Sequence, residues 1–196
     1  MNRIIFATQN KGKIVEIKEI MEGCEVVPMS EVGFEGDIEE NGTSFEENAL
    51  IKAKAVWEKT GGLVMADDSG LEVDALGLEP GIYSARYLGR DVPFKEKMDD
   101  ILRRLEGVAD KERTARFVCA VAAVLPDGSS QVVRGTMEGR IGYEQAGDKG
   151  FGYDPIVVIP EYGRTVAQLT ADEKNAISHR GKALRLMKER LAGGVL

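Results

Sequence analysis

The sequence has 196 residues, of which 43% are hydrophobic and 30% are charged, and its formal net charge is −7. This composition provides enough apolar material for a core and predicts one globular domain over residues 1–196. The negative charge disfavours a nucleic acid polymer as partner, since such binding needs a basic surface. No apolar run reaches the roughly 20 residues that cross a bilayer, and the first residues lack the pattern of a signal peptide. We therefore expect a cytoplasmic protein with no membrane partner.

The two cysteines do not form a pattern for a disulfide or a metal site. Cys24 and Cys119 lie far apart in the sequence, and Cys119 falls within the apolar run FVCAVAAVL. We therefore expect buried thiols. Any metal site must then be built from oxygen ligands.

Strand and helix patterns alternate in the first third of the chain. The apolar run RIIFAT (3–8) predicts a strand, the polar QNKGK a loop, and the isoleucine spacing that follows a helix. CEVVPM (24–29) predicts a second strand, and residues 31–44 a loop, because they are rich in Gly and acid without a period. Ser44 and Glu47 form a capping-box signature for a helix to about Thr60. LVMA (63–66) then predicts a buried strand that ends in a DDSG turn.

The second half has shorter, more interrupted patterns. LEVDALG and PGIYSARY predict strand or loop pieces, and an amphipathic helix follows Pro93. ARFVCAVAAVL and SQVVRGTMEGRI predict a long β-hairpin that turns at Asp127 and Gly128. PIVVIP predicts another buried strand, and the apolar spacing from Ile177 to Leu191 a closing helix. Interleaved helices and strands with one hairpin predict an α/β fold with a mixed sheet.

The loop ATQNKGK after the first strand has the pattern of an anion site. Free N–H groups at a helix N-terminus and the helix dipole attract phosphate, and Thr8, Asn10 and Lys13 are placed to face it. The loop is not a P-loop, because the leading Gly of that motif is absent and Ile14 replaces the Ser or Thr that holds magnesium. A solvated, lysine-rich helix start is an equally good interpretation of this stretch alone.

A further cation is predicted on an apolar helix face. At about 100 degrees per residue, one stripe of the helix after Ser44 contains Phe45, Ala49, Lys52, Ala53 and Val56. The Lys52 ammonium either extends to solvent along its apolar stem or points into a cleft and meets an anion. The pattern leaves both interpretations open.

Asp67 and Asp68 directly follow the buried LVMA strand. Neighbouring strand residues point to opposite faces, so we expect one carboxylate to enter a cleft and the other to anchor the turn, rather than a paired dyad. An Asx turn before the following Ser-Gly is the purely structural alternative. Hard oxygen ligands beside a phosphate site favour Mg²⁺, and Glu39 and Glu40 of the acidic loop are a second source of such ligands.

Two motifs near the end of the chain have groups that suit a nucleobase. GFGYDP (150–155) places Phe151 and Tyr153 among glycines, which let the backbone approach a flat ligand, although such turns also close hairpins. TADEKNAISHRGKAL contains the single histidine, His179, beside Arg180, and their donors suit a carbonyl on a base edge. No nucleophile signature supports a Ser-His-Asp or Cys-His mechanism.

Five blocks together resemble one known family. TQNKGK, SFEENALIKA, ADDSGLEVDALGLEPGIYSARY, GFGYDP and LTADEKNAISHRGKAL occur in the order of the Ham1 family of noncanonical purine nucleoside triphosphate pyrophosphatases. The resemblance covers residues 3–190 and is weak only in residues 90–113 and 126–134. It implies Mg²⁺-dependent hydrolysis of ITP, dITP and XTP to the monophosphate and pyrophosphate, which sanitises the nucleotide pool. It also implies a cytosolic homodimer of elongated, bilobed protomers, each with a long mixed sheet flanked by helices and the active-site cleft between the lobes.

The resemblance also implies roles for individual residues. Asp68 is expected to bind the metal and activate water, Glu39 to be the other metal ligand, and Glu40 and Asp67 to support them. Lys52 is expected near the phosphates. The other expected substrate-binding residues are Thr8, Gln9, Asn10, Lys11, Gly12, Lys13, Ser69, Phe151, Gly152, Tyr153, Asp154, Lys174, His179 and Arg180.

Two other functions are weighed against this one. A Maf-like pyrophosphatase also combines an N-terminal anion loop with acidic residues but acts on other nucleotides, and the SHRGKAL and GFGYDP blocks argue against it. A nucleotide-binding sensor without turnover is the second alternative. Its carboxylates would repel a triphosphate, and only a metal ion reconciles the two.

Overall fold

The computed structural model describes residues 2–192 and shows an α/β protein with a seven-stranded mixed sheet, as predicted. The strands are β1 (Asn2–Phe6), β2 (Cys24–Pro28), β3 (Val64–Val73), β4 (Thr114–Val124), β5 (Ser130–Ile141), β6 (Val157–Ile159) and β7 (Arg164–Thr165). Their order in the sheet is β2-β1-β3-β4-β5-β6-β7. β1 pairs in parallel with β2 and β3, whereas β6 pairs antiparallel with β5 and β7.

Five α-helices occur within the same described range. They are α1 (Lys11–Ile20), α2 (Phe45–Thr60), α3 (Phe94–Arg104), α4 (Ala171–Ile177) and α5 (His179–Leu191). α1 connects the parallel strands β1 and β2, because a parallel pair needs a crossover rather than a tight turn. No helix among residues 2–192 has the length and apolar character needed to cross a membrane.

The chain divides into two compact units, each with its own hydrophobic core. The described part of the first unit comprises residues 2–68, 119–135 and 178–192, and the second unit comprises residues 69–118 and 136–177. Fully buried core residues of the first unit include Ile4, Phe6, Ile17, Met65, Val121, Leu184 and Met187. Those of the second include Leu71, Val73, Ile101, Leu105, Ile141, Ile156 and Val157. The expected location of an active-site cleft stays a prediction.

The start of α2 agrees with the prediction from the sequence, apart from one hydrogen bond of the predicted capping box. Ser44 is the N-cap, and its Oγ accepts the N–H of Glu47 at 3.1 Å. The Glu47 carboxylate does not bind the Ser44 N–H that a capping box requires. It accepts the N–H of Thr43 at 2.6 Å, one residue earlier. The predicted apolar stripe is buried at Phe45, Ala49, Ala53 and Val56.

The predicted DDSG turn is wrong. β3 continues without interruption from Val64 to Val73, so Asp67 and Asp68 lie in the middle of a strand. β3 has a neighbouring strand on both sides, β1 and β4, and its residues Leu71 and Val73 are completely buried. The pairing of β3 with its neighbouring strands and the burial of Leu71 and Val73 therefore outweigh the local turn preference of Asp, Ser and Gly.

Other boundaries also differ from the sequence pattern. Ile177 does not begin the closing helix but ends the separate helix α4, because Ser178 has extended backbone and caps α5 by accepting the Gly181 N–H at 2.9 Å. β6 is shorter than predicted, since residues 154–156 form a 3-10 turn. Both thiols are free as expected, but Cys24 is only half-buried, whereas Cys119 is buried.

Candidate active site

β3 supplies two buried carboxylates that lie on different faces of the strand. Asp67 is 1% exposed and Asp68 is 7% exposed. Asp67 contacts Lys13 and Arg180, whereas Asp68 contacts Lys52. The two residues therefore do not form a carboxylate dyad, as the alternation of strand side chains predicts.

Asp67 is the centre of an ion network that is balanced in charge. Its Oδ2 lies 2.9 Å from Lys13 Nζ and 3.3 Å from both Nε and Nη2 of Arg180. Arg180 also donates from Nη1 to Glu16, so the network contains two cations and two carboxylates. Burial alone would raise the pKa of Asp67, but Lys13 and Arg180 hold this pKa well below its ordinary range. Asp67 is thus a permanent anion that fixes two cationic side chains.

Asp68 belongs to a second network, which has an excess of negative charge. The Lys52 ammonium lies 3.3 Å from Asp68 Oδ1 and 2.6 Å from Glu40 Oε1. Burial of Lys52 would lower its pKa, but Asp68, Asp67 and Glu40 raise it, so the ammonium stays charged. Of the two interpretations of Lys52, the structure supports the inward one, with carboxylates as its partners.

The Asp68 carboxylate retains one unused oxygen. Oδ2 is buried and has no hydrogen-bond partner among the described residues. Burial, together with the charge of Glu40, raises the pKa of Asp68 although Lys52 opposes this. A buried carboxylate oxygen with no partner costs free energy unless a cation or a proton donor meets it. This oxygen is suited to bind a hard cation or to accept a proton from water.

The acidic loop between β2 and α2 is attached to α2. Asn48 Oδ1 accepts the Gly42 N–H at 2.9 Å, and Glu40 binds Lys52. Glu39 is exposed. Among residues 2–192, no group of three or more His, Cys, Asp or Glu side chains is arranged to enclose a metal ion. A cation here would therefore depend on few protein ligands, together with ligands from a bound molecule or water.

The predicted anion loop is a well-capped helix start. Asn10 Oδ1 accepts the N–H groups of Gly12 at 2.9 Å and Lys13 at 3.2 Å, and Thr8 Oγ1 accepts the Asn10 N–H at 3.2 Å. Gln9 Nε2 donates to the Gly36 carbonyl at 3.1 Å. Asn10 therefore uses two of the free amides that the anion hypothesis assigned to phosphate. The cationic side chains of Lys11, which is exposed, and Lys13 therefore attract a phosphate more strongly than the backbone amides of this loop do.

The second unit contains a cluster around GFGYDP. Asp154 is buried, and its Oδ2 accepts the Phe151 N–H and the Lys174 ammonium, each at 3.0 Å. The same ammonium lies 4.7 Å from the centre of the Phe151 ring, which is 40% exposed. Gly150 has φ of +74°, and a Cβ there would lie 2.1 Å from Asp154 Oδ2. Only glycine permits this turn, which joins three of the predicted substrate-binding residues.

Only one of the two aromatic rings in this motif is available for stacking. Tyr153 is buried, donates its hydroxyl to the Ser84 carbonyl at 2.9 Å and packs edge-on against Phe94. Tyr153 is therefore a core residue here, and its ring is not the exposed one of the two aromatic rings in the motif. Phe151 is the exposed ring of the motif, and Gly152 has left-handed backbone beside it. Ser69 is half-buried in β3.

His179 and Arg180 begin α5 in the first unit, and both are buried. β5 approaches this helix closely at Gly135, where a Cβ would lie 2.4 Å from the His179 carbonyl oxygen. The Arg180 guanidinium binds Asp67 and Glu16. Its predicted contact with a base edge stays a prediction.

The sequence analysis did not single out two residues near the candidate site, Glu16 and Asn48. Glu16 lies three residues after Lys13 on α1, a helical spacing that places the two side chains on neighbouring positions. Asn48 lies four positions before Lys52 and is buried on α2 beside the apolar stripe. A polar residue at a buried position is a signal for a specific hydrogen bond.

The described residues form an α/β protein with a seven-stranded mixed sheet and buried ion pairs around Asp67 and Asp68. The chain belongs to the Ham1 family, whose profile matches residues 4–190. A relative from Bacillus subtilis named dITP/XTP pyrophosphatase is 46% identical over 193 residues, or 97% of this chain and 98% of that protein. One of the same name from Nitratidesulfovibrio vulgaris is 48% identical over 194 residues, or 95% of this chain and 94% of that protein.

Solved structures support the same assignment. The Ham1 protein of Staphylococcus aureus is 41% identical, with a TM-score of 0.89 over 98% of this chain and 99% of that chain. The HAM1 protein of Coxiella burnetii is 39% identical, with a TM-score of 0.90 over 99% of this chain and 100% of that chain. The fold and the family predicted from the sequence are thus confirmed.

Proposed function

We propose that this protein is a pyrophosphatase that hydrolyses ITP, dITP and XTP to the monophosphate and pyrophosphate. Its membership in the Ham1 family and its relatives named dITP/XTP pyrophosphatase support the reaction and the substrate class. The observation that carries the chemistry is the buried Oδ2 of Asp68, which has no hydrogen-bond partner among the described residues, in a carboxylate that shares the Lys52 ammonium with Glu40.

Asp68 acts as the base. The Asp68 carboxylate accepts a proton from water as the water oxygen attacks the α-phosphorus, and the bond from that phosphorus to the bridging oxygen breaks. Both electrons of that bond leave with pyrophosphate. The raised pKa of Asp68 makes it a better proton acceptor than an exposed carboxylate.

Two lysines neutralise the charge of the triphosphate. Each ammonium has three N–H donors. Lys13 contacts Asp67, and Lys52 contacts Asp68 and Glu40, so these carboxylates account for fewer than three donors of each ammonium. Removal of one such stabilising donor typically costs about 100- to 1,000-fold in kcat.

Magnesium is the cofactor that suits this site. Asp68 and Glu39 would hold it, with Glu40 close by, because all three offer hard oxygens and Asp68 has an oxygen with no other partner. When bound, Mg²⁺ neutralises phosphate charge and makes water more acidic. Without such a cation, the negative Asp68 network would repel a triphosphate.

The cluster of the second unit is assigned to the base. The exposed face of Phe151 stacks on the purine, while Asp154 and Lys174 fix the ring in place. His179 and Arg180 offer donors for a 6-keto oxygen, which ITP and XTP have and ATP lacks. We also infer a homodimer in the cytoplasm, as the sequence resemblance implies.

Turnover with a panel of nucleotides tests the proposal. Pyrophosphate release is measured from ITP, XTP, ATP, dTTP and UTP, with and without Mg²⁺. We expect release from ITP and XTP only, and loss of release on chelation of the metal. Preference for dTTP or UTP would instead indicate a Maf-like activity, and nucleotide binding without release would indicate a sensor.

Asp68→Asn tests the assigned base. The amide keeps the shape and cannot accept the proton, so we expect kcat to fall by about 100-fold or more. Binding of ITP, measured by calorimetry, should remain detectable. Full turnover by this variant would refute the role of Asp68.

A further inference from the structure

Asn48 is a buried polar residue that the proposed reaction does not use. It is completely inaccessible to solvent, yet it lies on the apolar face of α2 among core residues. Its Oδ1 accepts the Gly42 N–H at 2.9 Å. Its Nδ2 is buried and has no hydrogen-bond partner among residues 2–192. Only half of the amide is therefore satisfied, and that half binds the acidic loop.

Asn48 and Lys52 hold the acidic loop at two neighbouring points. The two residues are four positions apart on α2, so their side chains lie on the same face, one turn apart. Asn48 binds Gly42, and Lys52 binds Glu40 at 2.6 Å. The same Lys52 ammonium binds Asp68, so the position of Glu40 relative to Asp68 depends on how this loop is held.

Gly42 allows the loop to approach the helix this closely. A Cβ at this position would lie 2.7 Å from Asn48 Oδ1 and 2.8 Å from the Glu47 Cβ. Both distances are far inside van der Waals contact, and neither neighbour is the end of a long flexible side chain. A larger residue would therefore move the loop away from α2.

We propose that Asn48 is a positioning residue that, through Gly42, holds the acidic loop with Glu39 and Glu40 at the Asp68 network. This inference rests on the proposed function for what the two carboxylates serve, namely a divalent cation. Removal of a group that hydrogen-bonds to metal ligands and orients them typically lowers metal affinity by about 10- to 100-fold. Asn48 touches neither the substrate nor the reacting atoms, so it acts only through the loop.

A purely structural role makes a different prediction. Leucine has the same number of side-chain heavy atoms as asparagine, branched at the same carbon, and removes the buried donor that has no partner. We therefore expect Asn48→Leu to lower the melting temperature no more than a cavity-forming change elsewhere on α2. If Asn48 merely filled the core, the loop would behave in this variant as before. If Asn48 positions the loop, the loop is loosened while the core stays intact.

The experiment compares Asn48→Leu with Val56→Ala, a change at another buried position of α2, eight residues further along the helix. Hydrogen exchange of the peptide covering residues 36–43 is measured by mass spectrometry without metal or nucleotide. We expect at least threefold faster exchange in Asn48→Leu and no change in Val56→Ala. In turnover assays, the Mg²⁺ concentration for half-maximal ITP hydrolysis should rise about tenfold in Asn48→Leu alone.

Gly42→Ala approaches the same contact from the loop side and needs no change in the core. It should reproduce both effects, because its Cβ displaces the loop from Asn48. Unchanged loop exchange in Asn48→Leu and Gly42→Ala would overturn the proposal, as would faster exchange with an unchanged Mg²⁺ requirement. Absence of ITP hydrolysis in the wild type would instead overturn the proposed function, while the exchange comparison would still decide whether Asn48 holds the loop.

Discussion

The carboxylates of Asp67 and Asp68 are adjacent in β3 but belong to ion networks of different net charge. Asp67 joins Lys13, Arg180 and Glu16 in a balanced set of two cations and two anions. Asp68 and Glu40 both contact the Lys52 ammonium, so this group of three has one more carboxylate than it has cations. Each carboxylate keeps one buried oxygen without a hydrogen-bond partner among the described residues, but Asp67 is held between two cations, whereas Asp68 shares one cation with Glu40. This difference gives the two aspartates separate roles.

Asp67→Asn should destabilise the protein strongly. The asparagine amide cannot balance Lys13 and Arg180, and loss of one partner of a buried ion pair typically costs about 3–5 kcal/mol. The measurement is the free energy of unfolding in urea at pH 7. Asp91→Asn, at an exposed position, is the control and should change this free energy by less than about 0.5 kcal/mol. A loss below about 1 kcal/mol in Asp67→Asn would show that the Asp67 network does not stabilise the fold.

Local patterns predicted those parts of the fold that local forces decide. The helix after Ser44 begins at its cap, and the two strands of the hairpin around Asp127 form as expected. The strand β3 did not follow its local pattern, because neighbouring strands and the buried residues Leu71 and Val73 act from beyond the predicted turn. Turn preference is a property of four residues, whereas sheet pairing is a property of the whole fold.

The candidate site was predictable to a similar extent. The period of the strand predicted that Asp67 and Asp68 separate. The helical period placed Lys52 on the apolar face of α2 but left open whether its ammonium points inward or extends to solvent. The partners of Arg180 were not predictable, because Glu16 is 164 residues away in sequence. The buried position of Tyr153 depends on Ser84 and Phe94, also distant in sequence, so its motif could not distinguish a stacking ring from a core ring.

Phe151→Ala should weaken substrate binding more than it slows the chemical step. Stacking of a base on an aromatic ring contributes about 1–3 kcal/mol, so we expect the KM for ITP to rise about 5- to 150-fold while kcat changes little. Steady-state kinetics with ITP measure both constants. Tyr143→Ala, which removes another exposed aromatic ring of the second unit, is the control and should leave KM unchanged. Equal KM values for wild type and Phe151→Ala would exclude stacking on this ring.

Cys119 should make the protein sensitive to alkaline pH. Burial, followed by the nearby Asp67 carboxylate, raises the pKa of this thiol to about 12. In the unfolded chain the pKa of a cysteine is about 8.5. Because the folded pKa is the higher one, the resulting stability is fully present below about pH 8.5 and is lost as the pH rises toward 12. Between these values the folded state binds one proton more than the unfolded state.

Cys119→Ala removes this dependence. Between pH 9.5 and 11, the free energy of unfolding of the wild type should fall by about 1.4 kcal/mol per pH unit more than that of the variant. Urea unfolding at several pH values gives both slopes, and lysine titration affects them equally. Val121→Ala, a neighbouring buried change on β4 without a titrating group, should keep the wild-type slope even though it lowers stability. Identical slopes in wild type and Cys119→Ala would mean that the thiol ionises as easily in the fold as in water.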